Sequence, residues 1–129
     1  MTHVRAEKIE RIANDVPLQQ IEEGADSGKL LVLGWGSTYG AIREAVRRSR
    51  ARGLDVSHAH LRYMNPMPKN LAEVLSRFDR VLIPELNMGQ LATVIKSRFL
   101  LPAVSYPKVQ GQPFRIAEIE TKIRQLMES

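Results

Sequence analysis

A chain of 129 residues with 43% apolar content is long enough for one domain around a single core, and it carries a formal net charge of +5. Having no cysteine, it can form no disulfide, no thiolate zinc site and no cysteine-ligated iron–sulfur cluster of its own. Its longest apolar run, Leu30 to Leu33, is far short of the roughly 18 residues a membrane span needs, and the N-terminal THVRAEKIERIAND has no signal-peptide apolar region, so a cytoplasmic protein is expected.

The charge is uneven along the chain. Residues 1–29 hold four basic and six acidic groups, residues 30–60 five and two, and residues 61–129 ten and six. The positive residues fall on the outward positions of amphipathic helices with no aromatic residues interleaved, which favours a solvated or partner-facing surface over nucleic-acid binding.

In chain order, Ala6 to Asn14 has the apolar spacing of a short helix ended before Pro17, and Val16 to Gly28 reads as a polar connector. Leu30 to Leu33 is a continuous apolar run suited to a strand covered on both faces. Thr38 to Arg52 follows as a helix with Ala41, Ile42, Ala45, Val46 and Ser49 inward and Arg43, Arg47 and Arg50 outward, closed by Gly53. Leu54 to Leu61 is a second strand, which NPMP at Asn65 to Pro68 cannot continue. Leu71 to Phe78 is a short helix, Arg80 to Pro84 a third strand and Gly89 to Phe99 a helix. Pro102 to Tyr106 is a strand bounded by prolines and so near an edge, and Ile116 to Met127 is the closing helix.

Strand and helix thus alternate about every 25 residues from Leu30, the pattern of a parallel sheet with helices on both faces. The fold expected is a three-layer α/β/α domain over residues 30–129, preceded by an N-terminal helix and connector over residues 1–29.

Three stretches bear on function. In LLVLGWGSTYG, Gly34, Gly36 and Gly40 permit tight geometry and Ser37 or Thr38 can cap the new helix, whose free amides suit an anion. The spacing G-x-G-x-x-x-G misses the dinucleotide fingerprint by one residue, and the Gly-Lys-Ser/Thr of a phosphate loop is absent, so a structural turn is favoured over an anion site at Gly36, Ser37, Thr38 and Gly40. Trp35 is then read as packing at a domain contact. His58 and His60 point to the same strand face, but two imidazoles are too few for a metal, and they read as polar residues at a strand end or interface; His3 lies in the tail. VLIPELNMGQL delivers Glu85, Asn87 and Gln90 to the carboxyl end of the third strand, where open α/β sheets place ligands and contacts. Either these residues position a contact or ligand, or Asn87 merely caps the next helix, Gly89 turns the chain and Glu85 is solvated. Glu85 has no evident catalytic partner.

The blocks GWGSTYGAIREAV, HLRYMNPMPKNL, VLIPELNMGQL and KVQGQPF, in this order and at these separations, resemble the C-terminal part of the alpha subunit of 2-oxoglutarate:ferredoxin oxidoreductases. The resemblance implies a transketolase C-terminal-like domain with a mostly parallel sheet of about five strands, one of them reversed. It implies a complex that oxidatively decarboxylates a 2-oxoacid to its acyl-coenzyme A, using thiamine diphosphate, Mg2+ and iron–sulfur clusters, with ferredoxin as acceptor. In that family these cofactors sit outside this region. The partners implied are the remaining alpha-subunit domains and the beta subunit, with no nucleic acid and no membrane. Because the family's alpha subunit is considerably longer, an excised domain or truncated product is expected, acting as a scaffold without catalysis of its own. The alternative is a stand-alone module binding an anion such as a nucleotide or coenzyme A phosphate.

Overall fold

The computed structural model describes residues 16–63, 67–85, 90–99, 103–108 and 113–128. The helix expected over 6–14, together with His3, Asn65, Asn87, Gly89 and Pro102, lies outside the described residues. In chain order the elements are β1 (Ile21–Glu23), β2 (Gly28–Trp35), a 3-10 turn (Gly36–Thr38), α1 (Tyr39–Ala51), β3 (Val56–Leu61), α2 (Leu71–Ser76), β4 (Phe78–Glu85), α3 (Gln90–Phe99), β5 (Ala103–Pro107) and α4 (Ile116–Glu128).

The strands form one five-stranded sheet in the order β1-β3-β2-β4-β5. β3, β2, β4 and β5 run parallel, and β1 alone is antiparallel, pairing Ile21 with Ala59 and Glu23 with His58. This is the mostly parallel sheet with one reversed strand, and β5 lies at an edge as its flanking prolines imply.

The Leu30–Leu33 run sits in the middle of the sheet because alternate residues feed two cores. Leu31 and Leu33, with Ala59, Leu61, Val81 and Ile83, pack against Leu71 and Leu75 of α2 and Leu91 and Ile95 of α3. Leu30 and Val32, with Val56 and Leu82, pack on the other face against Ile42 and Val46 of α1 and Ile119 and Ile123 of α4. The inward stripe of α1 is as its spacing predicts, with Ile42, Ala45, Val46 and Ser49 buried. Gly53 (φ 86°) closes that helix, its amide donating to the Arg50 carbonyl at 2.9 Å.

Two expectations are corrected. The segment read as a connector contains strand β1, and Val16 and Gln19 beside it are buried. Phe78, read as the end of a helix, opens β4 instead and is buried in the α2–α3 core. Among the described residues no helix is long and apolar enough to cross a membrane.

Candidate functional site

The strand order creates a switch point of the kind at which α/β sheets bind ligands and partners. After β2 the chain crosses by α1 on one face, and after β4 it crosses by α3 on the other, so the carboxyl ends of β2 and β4 flank a topological switch point. Trp35 ends β2 and Glu85 ends β4, and a hydrogen bond spans the gap between them. The Trp35 indole Nε1 donates to Glu85 Oε1 at 3.3 Å.

Glu85 is 1% exposed, which corrects the reading of a solvated carboxylate. Burial of a carboxylate is tolerable only where donors replace water. Here the Leu91 amide donates to Oε1 at 2.7 Å and the Ala92 amide to Oε2 at 3.2 Å. Glu85 therefore satisfies first-turn amides of α3, a place where the helix dipole also favours negative charge. Its own carbonyl accepts from the Lys108 amide at 2.7 Å, just beyond β5. One residue thus joins the ends of β2, β4 and β5 to the start of α3. Gln90 is the first residue of that helix.

The glycine turn is built differently from the expectation. Gly36 has φ 67°, a backbone region that L side chains adopt at a cost, and it opens the 3-10 turn. No side chain caps α1: the Thr38 hydroxyl, buried in the turn, donates backward to the Trp35 carbonyl at 3.0 Å, and Ser37 is exposed. Gly36 and Gly40 face open space, with no atom within 4 Å of where a side chain would begin. Gly34 is closed: a Cβ there would lie 2.5 Å from Ile42 Cδ1 and 3.2 Å from Thr38 Oγ1. Its missing side chain is what lets α1 approach β2.

His58 and His60 lie on the α1 face of β3, as their spacing predicts, with His60 one residue from the strand's end. They are 0% and 8% exposed. With Tyr39 they form a ring cluster beneath the first turn of α1, with ring centroids 4.9 to 6.3 Å apart. Both His58 nitrogens and the His60 Nδ1 are buried without hydrogen-bond partners. Burial pushes His58 down from 6.5 to about 4; His60, Arg43 and Arg62 add to the shift and Glu22 opposes it. His60 is lowered in the same way, first by burial and then by Arg62, against Glu22. Among the described residues no three histidine, aspartate, glutamate or cysteine side chains are grouped to hold a metal ion.

Sequence reasoning missed Tyr39, Glu22 and Arg62. Arg62 pairs with Glu22, and its guanidinium lies 5.7 Å from the centre of the Tyr39 ring. The strand period places Arg62 on the same face as His58 and His60, a signal that was available. Glu22 was hidden in the apparent connector.

Residues 28–119 match the family described as pyruvate:ferredoxin oxidoreductase core domain II. The chain is 48% identical over 124 residues to the 2-oxoglutarate oxidoreductase subunit KorA of Mycobacterium tuberculosis, an alignment covering 96% of this chain and 19% of that protein. It is 40% identical over 76 residues to subunit alpha of 2-oxoacid:ferredoxin oxidoreductase 1 of Aeropyrum pernix, covering 56% of this chain and 12% of that one. Among solved structures it is similar to the 2-oxoglutarate:ferredoxin oxidoreductase of Magnetococcus marinus, determined with 2-oxoglutarate, coenzyme A and succinyl-CoA bound. That likeness has a TM-score of 0.84 and 25% identity over 92% of this chain and 21% of that one. A split-gene transketolase shares the fold, with a TM-score of 0.65 at 13% identity over 85% of this chain and 41% of that one. The chain thus spans about a fifth or less of these oxidoreductase relatives. These relatives are oxidoreductases or their subunits, and a stand-alone nucleotide-binding or coenzyme A phosphate-binding module finds no support among them.

Proposed function

Because the chain belongs to the pyruvate:ferredoxin oxidoreductase core domain II family, we propose that it is a non-catalytic scaffold and contact domain of the alpha subunit of a 2-oxoacid:ferredoxin oxidoreductase. The complex would act in the cytoplasm on 2-oxoglutarate, releasing carbon dioxide, forming the acyl-coenzyme A and passing the electron pair to ferredoxin. Identity of 48% along nearly the whole chain to a 2-oxoglutarate oxidoreductase subunit supports that substrate.

The observation that carries the scaffold reading is the commitment of Glu85. Among the described residues it is the one buried carboxylate, and its two oxygens accept from the Trp35 indole and the Leu91 and Ala92 amides. An acid so engaged holds a corner rigid and is poorly placed to move protons. The chain also has no cysteine thiolate to ligate an iron–sulfur cluster. Thiamine diphosphate, Mg2+ and the clusters would be held by the remaining alpha-subunit domains and the beta subunit, with ferredoxin meeting the complex elsewhere. In this proposal Trp35 and Glu85 mark the contact corner, with Asn87 and Gln90 assigned to the contact from their places in the sequence. The open turn at Gly36, Ser37, Thr38 and Gly40 serves docking rather than phosphate binding.

Dye reduction dependent on 2-oxoglutarate and coenzyme A tests the proposal. The chain alone should give no turnover, and the complex assembled with the missing polypeptides should give it. In that complex Glu85→Ala should lower activity together with the amount of chain retained. Turnover by the isolated chain would overturn the scaffold reading.

A further inference from the structure

A pocket of 310 Å³ opens beside the carboxyl end of β3, with His60 in its lining. Its apolar walls are Pro17, Leu18, Tyr63 and Pro68. Leu18 and Tyr63 are 53% and 44% exposed, and they are two of the three large hydrophobic side chains left exposed among the described residues. Single exposed hydrophobics are ordinary, but two that flank one cavity mark a place prepared for contact.

The pocket is built and held. The Gln19 amide donates to Asn70 Oδ1 at 2.7 Å, and Asn70 Nδ2 donates to the Gln19 carbonyl at 3.0 Å. Gln19 Nε2 donates to the His60 carbonyl at 3.0 Å. These bonds tie the segment bearing Pro17 and Leu18 across the end of β3 to the start of α2, so the cavity needs no ordering when it is filled. Its charged wall is already balanced, since Arg62 is paired with Glu22. His60 is buried, and burial together with the neighbouring Arg62 disfavours its charged form. The lining's polar side chains outnumber its apolar ones, but its arginine is already paired, and the exposed surface left without a partner is that of Leu18 and Tyr63, which suits an apolar occupant.

We propose that this pocket seats an apolar side chain of the polypeptide that makes up the rest of the alpha subunit, an inference that rests on the scaffold reading above. The relative that aligns with 96% of this chain extends well beyond it, this chain matching 19% of its length, so that protein has further polypeptide available to cover a surface of this kind. The occupant acts as an anchor, a buried apolar residue at the centre of a contact whose rim is the Glu22–Arg62 pair and Gln20.

The test uses the whole 129-residue chain, titrated against the separately produced remainder of the alpha subunit with its beta subunit, and followed by calorimetry. Leu18→Asp and Tyr63→Asp place a charge at either wall. Both sites are exposed, so circular dichroism and urea midpoints of the free variants should match those of the parent chain. Wild-type binding with at least ten-fold weaker binding by each variant supports the pocket. Wild-type binding that both variants retain overturns the pocket and leaves the scaffold reading standing. Absence of wild-type binding overturns both. Self-association of the free chain that the two variants abolish would make a second copy the occupant and overturn the assignment.

Discussion

Acid should weaken this fold through His58. Its imidazole is wholly buried with neither nitrogen hydrogen-bonded, and it faces His60 on its own strand, Tyr39 and Arg43 of α1, Glu22 of β1 and Arg62 just past β3. In the folded chain the proton is accepted only near pH 4, against 6.5 for the free side chain. The unfolded chain therefore takes up the proton first as pH falls. The contribution of neutral His58 is complete above about pH 6.5 and is lost between there and pH 4. The full linkage is about 3 kcal/mol, of which about 2 kcal/mol falls between pH 7 and pH 5. Urea unfolding at the two pH values reads it as a midpoint lower by about 1 M at pH 5. Leu at this position has neither the proton nor the two unpartnered nitrogens. His58→Leu should unfold later than the parent at pH 7 and lose about 2 kcal/mol less on going to pH 5. The other ionisable groups are present in both proteins, so the difference between them reports the proton on His58 together with its coupling to His60. Parallel losses of stability in parent and variant would refute the reasoning.

Glu85→Ala strips the acceptor from two amides and the indole and should cost about 2–4 kcal/mol, while Glu85→Gln, which keeps one acceptor, should cost about half of that. Trp35 is the chain's single tryptophan, so its emission reports the same event: a red shift is expected in Glu85→Ala, and an unchanged spectrum and midpoint would remove Glu85 from its role at the corner. The three glycines of the turn should separate by mechanism in thermal melts. Gly34→Ala forces Ile42 aside and should cost about 1–3 kcal/mol. Gly36→Ala has space but a positive φ and should cost about 1 kcal/mol. Gly40→Ala lies in α1 facing open space and should be neutral or stabilising by up to about 1 kcal/mol. A common effect at all three would show that the turn is not organised as described.

The sheet and its helices were legible because the apolar period changes sharply at each junction, and because a fully buried strand such as Leu30–Leu33 needs no partner information to be recognised. β1 was not legible. Its three residues carry one apolar side chain, Ile21, and their extended form is imposed by β3 across the sheet. Phe78 was ambiguous for a related reason: it sits three residues after Leu75, a spacing that continues a helix equally well, and pairing with Gly28 decides for a strand. The histidines show the limit of periodicity. Alternation fixes that His58 and His60 share a face, but their depth depends on the first turn of α1, which covers them from about twenty residues earlier in the chain.

The same limit explains why Glu85 looked like a surface contact. In VLIPELNMGQL, Asn87 has the stronger local propensity to cap a helix, whereas a glutamate six residues ahead of the Leu91 amide has no short-range signature. Only the arrival of Trp35 from a strand 50 residues away makes a dry, donor-lined seat for the carboxylate. The physical consequence concerns function more than fold. A corner whose carboxylate is fully engaged presents to a neighbour a fixed indole and fixed strand ends rather than a reactive group. Under the scaffold reading proposed above, a domain that commits its buried carboxylate in this way would transmit position between subunits and would depend on them for chemistry.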